Sequence, residues 1–225
     1  MEAPPWDFSE IVADVCRSAD SLLDLGTGGG EWLSALPRRP ARTVATEAWA
    51  PNVAIARRRL ESLGVEVVQV ESARDNVKQR ADERSGRLPF PDGTFDVVVS
   101  RHETYAPAEV ARVLAPGGRF VTQQLSPGSS GFAKVLGISD AGEPIFRLEL
   151  ARTQLEAAGL AVIESAEGER LLEFGDVGAL AWYLKAVPWT VAGFDVPAFR
   201  AELQRLHEAG EELRVSLYSF WLSAV

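Results

Sequence analysis

Apolar residues recur along this chain in two alternating rhythms. Short, nearly continuous apolar runs read as buried strands: Ser21-Leu22-Leu23-Asp24-Leu25, 42–46, 65–70, 95–100, 119–125 and 160–165. Between them lie segments with apolar residues at helical spacing. The first covers 7–19, where Phe8, Ile11, Val12, Val15 and Cys16 share a face and Asp7 or Ser9 is placed to cap it. Others cover 30–36, 51–63, 107–114 and 146–158. Proline and glycine punctuate the pattern: Pro37 and Pro40 stop one helix, Pro51 starts the next and Gly64 ends it, and Pro116-Gly117-Gly118 turns the chain before a strand. Phe95-Asp96-Val97-Val98-Val99-Ser100 is apolar enough for the middle of a parallel sheet. Strand and helix in alternation predict an α/β layering with a mostly parallel sheet.

The rhythm changes in the second half. Residues 74–87 are polar and read as a surface helix or loop, and 126–144 as a Gly- and Ser-rich loop or broken helix. Residues 170–174 read as a further extended piece. Two helical stretches, 178–187 and 197–209, precede an alternating run, LRVSLYSFWL, that reads as a last strand. Residues 175–210 are therefore expected to be a helical insertion, whose Trp182, Tyr183, Trp189 and Phe194 either roof a pocket or, the preferred reading, fill a core.

The candidate chemistry starts where the first strand meets a cluster of glycines, DLGTGGGE at 24–31. A strand, a glycine turn and a helix start place backbone N–H groups at the carboxyl end of a sheet, close enough for a ligand to lie on the main chain. A dinucleotide fingerprint needs a third glycine where this chain has Glu31, and a carboxylate is poorly placed beside a pyrophosphate. The observed pattern is an acid, Asp24, two residues before Gly26, with Gly28 and Gly30 following. An acid there suits a ligand carrying positive groups. A second acid, Glu47, closes the next strand about 20 residues beyond the glycines, where a carboxylate can accept hydrogen bonds from both ribose hydroxyls.

Residues 24–30 closely resemble the first motif of class I S-adenosylmethionine-dependent methyltransferases. LPFPDGTFD at 88–96 and VARVLAPGGRFV at 110–121 are also similar to passages of that family, in its type 11-like branch. The strand ends Arg101-His102-Glu103 and Thr122-Gln123-Gln124 resemble an uncharacterised subgroup of it. The likeness covers 21–125 well and the remainder by layout. It implies a Rossmann-like, seven-stranded, mostly parallel sheet with helices on both faces, an antiparallel last strand and a small helical insertion. It implies one domain over 1–225: an N-terminal helix to 20, a core over 21–174, the insertion over 175–210 and the final strand over 211–225.

The resemblance also implies S-adenosyl-L-methionine as cofactor, held by Asp24, Leu25, Gly26, Thr27, Gly28, Gly30 and Glu47, with Ala48 and Trp49 against the adenine. Glu71, Ser72 and Ala73 stand where the family presents an acid to the adenine amino group. Here the expected Asp is Ser72, a departure from the pattern. Arg101 faces the cofactor from the fourth strand. His102 is the candidate general base, since an imidazole exchanges protons near neutrality; contact with the cofactor or support of a loop is the alternative, slightly preferred because many such enzymes act by proximity. Glu103, Tyr105, Gln123 and Gln124 are expected on the substrate side.

Composition narrows the partners. The formal charge is −9, and the arginines are scattered apart from Arg38-Arg39 and Arg57-Arg58-Arg59, so a nucleic-acid substrate is disfavoured. One cysteine, Cys16, and two histidines, His102 and His207, exclude an intrachain disulfide and make a Cys/His metal centre improbable. The longest apolar run is short of a membrane span, and the acidic start MEAPPWDFSE does not resemble a signal peptide, so a cytoplasmic location is expected. The expectation is a methyltransferase with a small-molecule acceptor, monomeric or homodimeric. A cofactor-binding protein without catalysis is the alternative; an RNA methyltransferase and a nicotinamide oxidoreductase stand further off.

Overall fold

A computed structural model describes residues 5–74, 76–77, 86–126, 129–139, 146–188, 190–191, 193–210 and 212–225. Most of the expected 74–87 link, part of 126–144 and Trp189 lie outside the described residues. In chain order the elements are α1 (Phe8–Val15), β1 (Ser21–Leu25), α2 (Glu31–Ala35), β2 (Arg42–Glu47), α3 (Ala50–Leu60), β3 (Glu66–Gln69), β4 (Phe95–Arg101), α4 (Pro107–Val113) and β5 (Leu114–Ser126). Then come α5 (Ser129–Leu136), α6 (Leu148–Ala157), β6 (Val162–Phe174), α7 (Val177–Ala186), α8 (Arg200–Ala209) and β7 (Leu213–Ala224).

The strands form one seven-stranded sheet in the order β3-β2-β1-β4-β5-β7-β6. Strands β3, β2, β1, β4 and β5 pair in parallel. At the far edge Ala161 and Val225 exchange both backbone hydrogen bonds, at 2.7 and 3.0 Å, the mark of an antiparallel pair. The expected Rossmann-like sheet with an antiparallel end is therefore present.

By its internal contacts the chain divides into two compact units. The larger comprises Asp7–Gln124, Phe146–Glu167 and Phe220–Val225. Its middle strand β1 is buried along its whole length, and β4 buries Val97, Val98, Val99 and Ser100. The smaller comprises Met1–Trp6, Leu125–Ile145 and Gly168–Ser219. Its core gathers Phe132 and Leu136 from α5, Leu180 and Leu184 from α7, Leu203 and Leu206 from α8, and Leu213, Val215 and Leu217 from β7.

Local chemistry explains the boundaries. Asp7 caps α1, accepting from the N–H groups of Ser9 and Glu10 at 2.9 and 3.2 Å. Ser9 is used differently, as acceptor for Trp32 Nε1–H at 3.0 Å. The Pro116-Gly117-Gly118 turn sits inside β5: Phe95 is opposite Leu114, but Val97 is opposite Arg119, so the extra residues bulge out of the ladder. The two extended pieces expected at 160–165 and 170–174 are one strand, β6. Tyr183 is core, stacked on Phe132 with centroids 5.6 Å apart, but Trp182 is 73% exposed on α7, against the expectation of a core ring. Among the described residues no helix is long and apolar enough to cross a membrane.

Two polar devices brace the sheet and the passage that leads into β4. Arg112 of α4 grips Glu109 through two nitrogens and also donates to Asp92 Oδ1 and to the carbonyls of Leu88 and Phe90, pinning the 88–92 passage. Asp96 Oδ2 accepts from the N–H of Asp20, the N–H of Ser21 and the Ser21 hydroxyl at 2.8–2.9 Å, tying the start of β1 to β4. These donors, the Ser21 hydroxyl foremost, hold the Asp96 carboxyl below its ordinary range. A lowered folded-state pKa gives stability that is complete above the ordinary carboxylate range and is lost as pH falls through the folded value. Asp96→Asn is expected to cost about 1–2 kcal/mol at neutral pH, with the deficit shrinking in acid, measured by urea unfolding at a series of pH values.

Candidate functional site

The tips of β1, β2, β3 and β4 converge in the larger unit on one crevice. Leu25, Gly26, Thr46, Glu47, Ala48, Glu71, Ser72, Ala73, Glu103 and Thr104 line it. Parallel strands carry all of these to the same edge, since each pair in the order β3-β2-β1-β4 runs the same way.

The crevice floor is the glycine turn. Gly26 and Gly28 both have positive φ, 68° and 62°, which side-chain-bearing residues resist. The space above Gly28 is open, whereas a Cβ on Gly26 would stand 2.6 Å from Glu103 Cβ. The turn is tied to β2 by Thr27 N–H donating to the Thr46 carbonyl at 2.8 Å and Gly26 N–H to Thr46 Oγ1 at 3.3 Å. From the other side, Arg59 of α3 donates to Glu31 and to the Gly29 carbonyl. Arg57 reaches the Val67 carbonyl at 3.2 Å. Two members of the arginine cluster thus brace the turn and β3.

Two carboxylates stand at this floor in different states. Glu47 is nearly buried and both its oxygens are held: Oε2 accepts from Gly28 N–H and Oε1 from Trp49 N–H, each at 2.8 Å. Asp24 is buried beneath, and its Oδ2 has no hydrogen-bond partner; the Thr27 hydroxyl faces it without closing a well-formed bond. Burial pushes the Asp24 carboxyl up to about 7, with Glu47 adding to the rise and Thr27 and Arg101 opposing it. Arg101 lies with its guanidinium 5.8 Å from the centre of the Trp32 ring, a cation–π contact. Trp32 in turn packs on Phe8 of α1 at 5.6 Å. The N-terminal helix therefore reaches the site through Trp32 and Arg101.

Comparison with known proteins agrees with this geometry. Residues 23–122 match the model of the methyltransferase domain family. The chain is 35% identical over 135 residues to the demethylmenaquinone methyltransferase of Thermus thermophilus, covering 56% of each protein. It is 33% identical over 130 residues to the fatty-acid O-methyltransferase of Mycolicibacterium smegmatis, covering 53% of this chain and 42% of that one. The chain spans about half the length of these curated relatives. Among solved structures, YcgJ of Bacillus subtilis superposes with a TM-score of 0.65 over 96% of both chains at 17% identity, a likeness of fold. That match takes in the glycine turn and both strand-tip acids, so residues 23–122 are similar to a methyltransferase domain.

The positions expected from sequence distribute unevenly around this crevice. Leu25, Gly26, Glu47, Ala48, Glu71, Ser72, Ala73 and Glu103 meet in it, with Asp24, Thr27 and Gly28 at its floor. Gly30 has another task, capping α2 in a left-handed conformation above Leu60. Trp49 holds Glu47 through its backbone while its ring is 64% exposed. His102 is exposed at the tip of β4 with φ 61°, its Nε2 2.9 Å from the amide nitrogen of Gln123 and its N–H donating to the Gln123 carbonyl at 2.8 Å.

Two of the residues expected on the substrate side are buried. Tyr105 is 1% exposed and packs edge-on against Phe120 at 4.8 Å, while also bordering the crevice; the same burial raises its phenol pKa. Gln124 is buried too, its amide within reach of Thr122 Oγ1 at 2.8 Å and donating to the Glu103 carbonyl at 3.0 Å, which makes it a brace under the β4 tip. Residues that sequence reading missed are Thr46, Ser100 and Thr104. Thr104 Oγ1 donates to the Ala73 carbonyl at 2.7 Å, joining β4's exit to β3's, and Tyr105 N–H donates to Asn76 Oδ1 at 3.1 Å. Their only signal was a run of hydroxyl residues in strand tips otherwise apolar.

Asp24 makes the folded protein hold a proton that the unfolded chain releases. A raised carboxylate pKa means that stability is greatest where both states are protonated and falls as pH rises from the ordinary Asp value toward about 7. Without cofactor, unfolding free energy is expected to drop by roughly 2–3 kcal/mol between pH 5 and 8. Asp24→Asn removes that slope, as urea midpoints of the two proteins across this range would record.

Proposed function

We propose that this chain transfers a methyl group from S-adenosylmethionine to a small-molecule acceptor. The observation that carries the reading is the pairing at the glycine floor of a clamped carboxylate, Glu47, with a buried carboxylate, Asp24, whose outer oxygen lacks a partner. The residues suit the cofactor. Glu47, fixed by two N–H groups, keeps lone pairs for the ribose hydroxyls. Asp24 is the counter-charge for the ammonium of the amino-acid end. Ser72 and Ala73, with Glu71, border the adenine end, and the exposed Trp49 ring lies beside Glu47 for stacking.

When bound, the cofactor supplies an activated methyl group on a positively charged sulfur, ready for in-line displacement. The protein's part is then chiefly alignment and exclusion of water. His102 is the group placed to take a proton from an acceptor, and Gln123 orients its ring. The names of two relatives make a demethylmenaquinone-type quinone and a fatty acid the first acceptors to assay. The charge of −9 supports a small molecule over a nucleic acid.

Titration calorimetry with S-adenosylhomocysteine is the direct test. The protein is expected to bind it, and Asp24→Asn and Glu47→Ala are each expected to weaken binding about tenfold or more. Absence of binding to the parent chain would overturn the reading. Once an acceptor is known, His102→Ala is expected to slow turnover at least about tenfold at unchanged cofactor affinity; equal turnover would leave His102 out of the chemistry.

A further inference from the structure

The residue after His102 does something that its place at the end of β4 does not require. The left-handed turn at His102, φ 61°, throws Glu103 back over the glycine floor. A Cβ on Gly26 would lie 2.6 Å from Glu103 Cβ and 2.7 Å from its Oε2, so only glycine allows this carboxylate so close to the floor. The main chain at Glu103 is fixed by two donors on its carbonyl, Ser100 Oγ–H at 2.8 Å and Gln124 Nε2–H at 3.0 Å. Its Oε1 accepts from Thr104 N–H at 3.1 Å, with Thr104 Oγ1 also 3.1 Å away. The carboxylate thus enters the same crevice as Glu47, held on one oxygen, with no arginine or lysine bonded to it among the described contacts. A neutral or anionic ligand gains nothing from a further acid there; a cation does.

Building on the methyltransferase reading, we propose that Glu103 is a specificity residue that makes the crevice read ligand charge. It favours the sulfonium form of the cofactor over its neutral thioether product, S-adenosylhomocysteine. The two ligands differ by one methyl group and one positive charge, and share every group that Asp24 and Glu47 address. Discrimination between them must come from a group placed near the sulfur rather than at either end. The Glu103 carboxylate, packed against Gly26 in the crevice that Glu47, Ser72 and Ala73 also line, is the group assigned to that position. It would speed exchange of spent product for fresh cofactor.

Calorimetry on the cofactor-free protein tests this without any acceptor. Dissociation constants are measured for S-adenosylmethionine, for S-adenosylhomocysteine and for sinefungin, which carries an ammonium in place of the sulfonium. Glu103→Gln keeps shape and removes charge. It is expected to weaken both cations about fivefold or more relative to the thioether, whose affinity stays within about twofold. Glu103→Ala gives the same change in ratio, with thermal midpoints confirming that both variants fold. An unchanged ratio overturns the proposal, as does equal tightening of all three ligands by Glu103→Ala, which would make the side chain a mere obstruction. Failure of the parent protein to bind any of the three removes the methyltransferase reading itself, a result distinct from binding with an unaltered ratio.

Discussion

The site depends on a single constraint: carboxylates have to be kept at the end of a buried sheet without cations bonded to them. Removing a charge from water is costly, and structures normally offset the cost with an ion pair or several hydrogen bonds. Glu47 is offset by the N–H groups of Gly28 and Trp49, which fix both oxygens. Asp24 is offset only in part, by Thr27 and Arg101, and burial pushes its carboxyl up to about 7. A group left in that state stabilises little in the protein alone. Its use lies with a ligand that arrives carrying the missing positive charge.

The remaining architecture keeps that arrangement in register. Parallel pairing sends four strand ends to one edge, and the backbone bonds from Thr27 and Gly26 to Thr46 hold the glycine turn against β2. Arg59 fastens the turn from outside, and Asp96 locks β1 to β4 at the opposite end. These bonds hold the turn in register with β1, β2 and β4, and the chain leaves β4 through His102 in its left-handed conformation.

Much of this was legible in the sequence because the signals are local. Strand β1, the glycines, Glu47 and Pro116-Gly117-Gly118 announce themselves within a few residues, and so do the apolar runs that make the sheet. What was not legible depends on which way a side chain turns at a strand tip. Tyr105 and Gln124 are polar residues near the site in sequence, and a sequence reading sends them toward substrate. The fold sends Tyr105 under Phe146 and Phe120 and uses Gln124 to brace a carbonyl. The merging of two extended pieces into β6 was equally hidden, because Glu164, Glu167 and Glu169 interrupt the apolar pattern without interrupting the strand.

Evolution at such an edge is constrained unequally. Gly28 is held by conformation, with open space above it, so what forbids a side chain there is the backbone. Gly26 is held by conformation and also by Glu103, whose side chain occupies the space a Cβ would need. Glu103 in turn stands where it does because Ser100 and Gln124 grip its carbonyl, while its carboxylate is held on one oxygen by Thr104. A turn so heavily braced for a side chain so lightly tied is better accounted for by what enters the crevice than by the stability of the sheet, since stability would be served as well by a smaller residue.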